Sequence, residues 1–135
     1  MIFMQPITIG TTATATVTVT ESQLAVTVGS GSLPVFATPM LAALMEKAAC
    51  NAVAAFLDEG ETTVGTALEL AHTAATPLGM TVTATAEVTA VAGREITFSV
   101  TASDGVSQIG NAVHKRFLVK SESFLKKANA RKETV

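Results

Sequence analysis

Apolar and polar residues alternate with a period of two along most of this chain, and with a helical period in one long stretch only. Thr11–Thr20 reads Thr-Thr-Ala-Thr-Ala-Thr-Val-Thr-Val-Thr. That pattern predicts a strand with threonine facing water and Ala/Val facing a core. Leu24–Val28 is expected to add a short strand or to continue the first. Gly29-Ser30-Gly31-Ser32 breaks the pattern as a flexible loop that ends at Pro34, too short for a domain linker.

The helical stretch opens with Thr38-Pro39, an N-cap oxygen followed by a proline whose missing N–H costs nothing in the first turn. Good helix formers continue to Asp58, and Gly60 is placed to end the helix in the left-handed region. Leu41, Leu44, Met45, Ala48, Ala52 and Phe56 form the predicted buried stripe, with Lys47, Asn51 and Asp58 on the wet side.

Four strands are predicted after the helix: Val64–Ala75, Met80–Val91, Glu95–Ser103 and Ser107–Val119. Ala92-Gly93 and Asp104-Gly105 read as hairpin turns. On the first of these strands Val64, Thr66, Leu68, Leu70, His72 and Ala74 share one face, and Gly65, Ala67, Glu69, Ala71 and Thr73 share the other. The charged tail from Lys120 to Val135 is expected to fray or to form a short helix. A strand, a long helix and four hairpin-linked strands make an α+β fold, an antiparallel sheet with one face covered by the helix.

Composition narrows the function classes. The 135 residues, 48% of them hydrophobic, suit a single domain spanning 1–135 with a real core. A net charge of -2 and 4% aromatic residues, all Phe, supply neither a basic field nor stacking platforms for nucleic acid. The lone Cys50 forms no intrachain disulfide and belongs to no zinc or CxxC pattern, so no metal is expected and a reducing, cytoplasmic setting fits. Met1–Gly10 carries no signal-peptide pattern, and no run of roughly 18 apolar residues is present to span a membrane.

Three polar residues stand against apolar neighbours: Thr38 at the helix mouth, Glu46 two turns in, and His72 on the inner face of the next strand. An imidazole exchanges a proton near neutral pH, a carboxylate orients or activates it, and a hydroxyl holds a reacting group. Taken singly, each has a plainer explanation. Capping accounts for Thr38, a salt bridge to Arg116 or a lysine accounts for Glu46, and a hydrogen-bonded core position accounts for His72. Together, a helix laid on a sheet brings Glu46 and His72 toward one cavity, within a subunit or across a dimer.

Thr38 through Glu46 with Ala48-Ala49-Cys50, then Gly65-Thr66-Ala67, His72 through Pro77, Asp104-Gly105-Val106, Ile109-Gly110 and His114-Lys115-Arg116 occur in unbroken order over Val35–Lys120. In these blocks the chain resembles the hotdog-fold thioesterases of the fluoroacetyl-CoA thioesterase type. The resemblance implies a curved antiparallel sheet wrapped around one long central helix, and a homodimer, with tetramers left open. It also implies active sites at the dimer interface that hydrolyse small acyl-CoA thioesters. It assigns Thr38, Glu46 and His72 as the catalytic trio and Gly65, Arg116 and Phe36 as substrate-binding residues. No cofactor is implied beyond the coenzyme A of the substrate. Gly29–Leu33, ahead of the helix, has no aromatic residue before Phe36, which favours a general small acyl group over a fluorinated one. Two alternatives use the same fold: an acyl-thioester dehydratase or hydratase, and a non-catalytic binder of acyl or other small ligands.

Overall fold

The computed structural model describes residues 6–134; residues 1–5 and 135, the start of the Met1–Gly10 segment and the end of the tail, lie outside the described residues. Strand β1 (Thr12–Thr18) is followed by a 3-10 turn (Glu21–Gln23) and the one-turn helix α1 (Ala25–Val28). The long helix α2 (Thr38–Val53) follows, then a 3-10 turn (Ala54–Phe56). Strands β2 (Glu61–His72), β3 (Thr81–Ala92), β4 (Glu95–Ser103) and β5 (Gln108–Lys120) lead to helix α3 (Ser121–Ala130) and a last 3-10 turn (Arg131–Thr134).

All five strands form one antiparallel sheet in the order β1-β3-β4-β5-β2. Its central meander is made by the tight reversals at Gly93 and Gly105, both at positive φ, while β1 and β2 become opposite edges. Alternation then sorts the side chains as the pattern predicts. Val82, Ala84, Ala86 and Val88 of β3 and Ile96, Phe98, Val100 and Ala102 of β4 are buried against Leu41, Met45, Ala48, Ala49, Ala52 and Val53 of α2. The alanines on both sides leave room for the helix to approach the sheet closely.

Three local expectations need correction. Leu24–Val28 is a helical turn rather than a strand: the Ala25 N–H bonds to the Val35 carbonyl and Gly29, at φ +87°, closes the turn. Helix α2 stops at Val53, short of Asp58, and Gly60 instead serves the reversal into β2. Thr38 is the first helical residue, with Ala37 as the cap, so its hydroxyl is spared for another partner. The tail forms the short helix α3.

The loop after β2 is tied to the β4–β5 hairpin by a buried pair. The Thr76 hydroxyl donates to Asp104 Oδ2 (2.9 Å), while Asp104 Oδ1 accepts the N–H groups of Val106 (3.0 Å) and Ser107 (3.1 Å). The Thr76 carbonyl in turn accepts the Phe36 N–H at 2.8 Å. The Ser107 N–H is the foremost cause holding the Asp104 carboxyl below its ordinary value, with burial opposing it. Asp104 therefore stabilises the fold above the unfolded-state pKa, and that contribution is lost as pH falls through the depressed folded value. Asp104→Ala is expected to cost about 1–3 kcal/mol at neutral pH, because the buried Thr76 hydroxyl is left unpaired. Denaturant titrations of wild type and variant should converge as the pH is lowered; an equal gap at every pH would contradict this role.

Candidate functional site

The polar residues singled out in the sequence fall into two groups about α2. At its first turn Thr38 Oγ1 shares a 2.7 Å hydrogen bond with His72 Nδ1 at the end of β2. The ring's other nitrogen, Nε2, is buried and has no hydrogen-bond partner among the described residues. Burial is the main cause lowering the His72 pKa from 6.5, partly offset by the nearby Ala74 backbone, so the imidazole is neutral near pH 7. Around the pair lies a small pocket of about 280 Å³, whose lining includes Ala25, Val35, Phe36, Ala74 and Ala75. Phe36 is 1% exposed and forms part of its wall.

The second group sits farther along the helix. Glu46 Oε1 accepts from Arg116 Nη1 at 3.1 Å and lies 4.0 Å from His114 Nε2. The guanidinium is only 6% exposed, and its remaining bonds fix its plane: Nε donates to Thr63 Oγ1 (2.8 Å) and Nη2 to the Thr63 carbonyl (2.9 Å). Four of the five Arg116 N–H donors are thus committed within the chain, one of them to His114 Nε2 at 3.2 Å. Glu46, Gly65, Thr66, Ala67, Leu68 and His114 line a separate recess at the edge strand.

Gly65 joins this group through a backbone irregularity. The β2–β5 register shifts between Gly65 and Ala67, which leaves Thr66 as an extra residue. The bulge turns Thr63 and Gly65 toward the helix, while Leu68, Leu70 and His72 keep that direction farther along. Unbroken alternation had put Val64 and Thr66 there and Gly65 on the opposite face. A Cβ on Gly65 would lie 2.5 Å from Glu46 Oε1 and 3.3 Å from Arg116 Nη1, so the absence of a side chain makes this approach possible.

Within one chain the two groups do not meet. Thr38 and Glu46 are eight residues apart, about 12 Å of helix rise, and the pockets at His72 and at Glu46 share no lining residue. Of the two arrangements open to the sequence, a common cavity inside one subunit is therefore not found. The residue that sequence reasoning gave no role is His114, which is 1% exposed. The parity of Ala112, His114, Arg116 and Leu118 on β5 was the available signal. Among the described residues no group of three or more His, Cys, Asp or Glu side chains is arranged to hold a metal ion.

Residues 19–122 match the family of fluoroacetyl-CoA-specific thioesterases, FlK. The chain belongs to this family. A fluoroacetyl-CoA thioesterase of Streptantibioticus cattleyicolor is 48% identical over 90 residues, which span 67% of this chain and 65% of that relative's length. A mutant of the fluoroacetyl-CoA-specific thioesterase FlK, solved in complex with fluoroacetate and CoA, superposes with a TM-score of 0.82 at 37% identity, over 87% of this chain and 98% of the other. A Thermus thermophilus protein described as a thioesterase superfamily member gives a TM-score of 0.88 at 26% identity, over 98% and 100% of the two chains. The curled five-stranded sheet with its helix is the hotdog fold of these thioesterases.

Proposed function

We propose that this family member hydrolyses a small acyl-CoA thioester to the free acid and CoA, with Thr38, Glu46 and His72 as the reacting machinery. The observation that carries the reading is the buried, unpartnered Nε2 of His72, fixed through Nδ1 by Thr38 beside a small pocket of mixed polar and apolar lining. A buried polar atom left unpaired is costly in a finished fold and is relieved by a reacting group. Water, or Glu46 itself, attacks the thioester carbonyl; His72 moves the proton; the positive end of the α2 dipole favours the developing oxyanion. Rapid quenching of a single turnover, with a covalent acyl–Glu46 anhydride sought by mass spectrometry, separates the two routes. Phe36 bounds the acyl group, Gly65 offers its backbone, and Arg116 has one N–H left for the substrate. The reaction needs no cofactor.

The site is completed by a second copy. Strand β2 is a sheet edge, and its outward backbone groups have no strand beside them in the five-stranded sheet. Antiparallel pairing of two such edges would bring the Gly65 bulge of one β2 toward the His72 end of the other. That homodimer carries Glu46 of one subunit to the Thr38–His72 pair of the other. No helix among the described residues is long and apolar enough to cross a membrane. With a single, unpaired cysteine, a cytoplasmic setting suits this reading.

A thiol-release assay over acyl-CoAs of increasing length tests the proposal. The expected result is turnover that is fastest with the shortest acyl chains. A wild type that frees no thiol from any of them would return the protein to the binding-module reading, and hydration of an enoyl-CoA without thiol release would identify a hydratase.

A further inference from the structure

His114 has no part in the reaction as read above, yet it is among the most constrained side chains in the molecule. Its Nδ1 lies 2.8 Å from the Ala67 carbonyl, which only accepts, so Nδ1 carries the proton. Its Nε2 lies 3.2 Å from Arg116 Nη1, which only donates, so Nε2 presents a lone pair. The two neighbours together dictate one neutral tautomer. The ring is held from the side by Phe98 of β4, stacked at 5.9 Å between centroids and 29° between planes.

These contacts link the β2 bulge to the Glu46 carboxylate. Ala67 is the first residue past the register shift, and Arg116 Nη1 shares its two hydrogens between His114 Nε2 and Glu46 Oε1. We propose that His114 is a positioning residue: acting through Arg116, it holds the Glu46 carboxylate against Gly65, where the thioester is to react. This inference rests on the thioesterase reading. The ionisable groups that face the ring are Arg116 from its own strand and Glu46 from α2; β2 presents the Ala67 carbonyl and β4 presents Phe98. Burial is the leading cause that lowers the His114 pKa from 6.5. The Ala67 bond opposes it, the Arg116 charge adds to it, and Glu46 opposes it. A proton on Nε2 removes the acceptor and sets a second cation against Arg116, so acid opens the clamp.

Two variants isolate the role. His114→Phe keeps a ring on Phe98 and deletes both hydrogen bonds; His114→Gln restores a donor and an acceptor spaced like the two ring nitrogens. With acetyl-CoA, His114→Phe is expected to lower kcat about tenfold or more while KM stays within about twofold. His114→Gln should recover most of the loss and show an acid-side fall in kcat that is shallower than in wild type, because only His72 is left to titrate. Independently of turnover, ¹⁵N NMR of wild type should report the Nδ1–H tautomer. An unchanged kcat in folded His114→Phe, equal losses in both variants, or an Nε2–H tautomer would each overturn the proposal. A wild type inert toward every acyl-CoA would count against the thioesterase reading instead. The clamp is then judged from a crystal structure of His114→Phe, where an undisturbed Glu46–Arg116 contact would refute it.

Discussion

His72→Ala is expected to lower kcat for acyl-CoA hydrolysis by about two to four orders of magnitude, the usual contribution of a positioned general acid–base group. Glu46→Gln should produce a loss of similar size, because an amide neither attacks a carbonyl nor takes a proton from water. The decisive measurement mixes the two inactive proteins. If each site draws His72 from one subunit and Glu46 from the other, a heterodimer carries one doubly altered site and one intact site. Co-refolding equal amounts then yields a statistical half of heterodimers, and activity returns to about a quarter of wild type. A mixture as inactive as its components would place both residues in the same subunit's site, which the separation along α2 opposes.

The pH profile of the wild type carries a second signature of the same imidazole. Burial lowers the His72 pKa from 6.5, so the neutral, proton-accepting form persists to lower pH than for a solvated histidine. The acid limb of kcat/KM should therefore lie below pH 6.5. Stability falls in the same direction. The unfolded chain binds a proton at about its ordinary pKa while the folded protein resists it, so the fold weakens as pH drops below that value. A kcat/KM limb at or above the solvated value would argue that the active ring is open to water, or is not this one.

Gly65→Ala is the second change with a large expected effect. The added methyl would lie 2.5 Å from Glu46 Oε1, 3.3 Å from Arg116 Nη1 and 3.4 Å from His114 Cε1, and the nearest of these must move. Glu46 is at the free end of a side chain 42% exposed, so it yields without disturbing the core, whereas Arg116 and His114 are locked by their bonds to β2. The expected result is a folded protein whose kcat drops about a hundredfold, since displacement of a reacting group by about 1 Å carries that cost. A thermal melt beside the kinetics separates the effects. Full activity in the alanine variant would mean that the observed Glu46 position has no bearing on turnover.

The legible part of this molecule was whatever depends on neighbours in sequence. Thr-Ala and Thr-Val alternation marked β1, and hairpin glycines bounded the meander. Thr38, Glu46 and His72 were visible because each interrupts a local apolar pattern. Failures came where a distant partner overrides local preference. Leu24–Val28 has strand-like residues, yet the return of Val35 and Phe36 alongside closes it into a turn. Thr38 has the chemistry of an N-cap, yet His72 claims its hydroxyl.

The order of strands and helix, and the inward face of β3 and β4, were determined by the chain itself, because side-chain period follows directly from backbone geometry. Only the tertiary structure decided which way Gly65 faces, since one extra residue at Thr66 reverses the parity of the strand on one side of it. It also decided that His114 and Arg116 are buried. Charge and imidazole are tolerated inside only when partners satisfy them, and those partners, Glu46, Thr63 and Ala67, lie about fifty to seventy residues away in sequence, as their hydrogen bonds to β5 record.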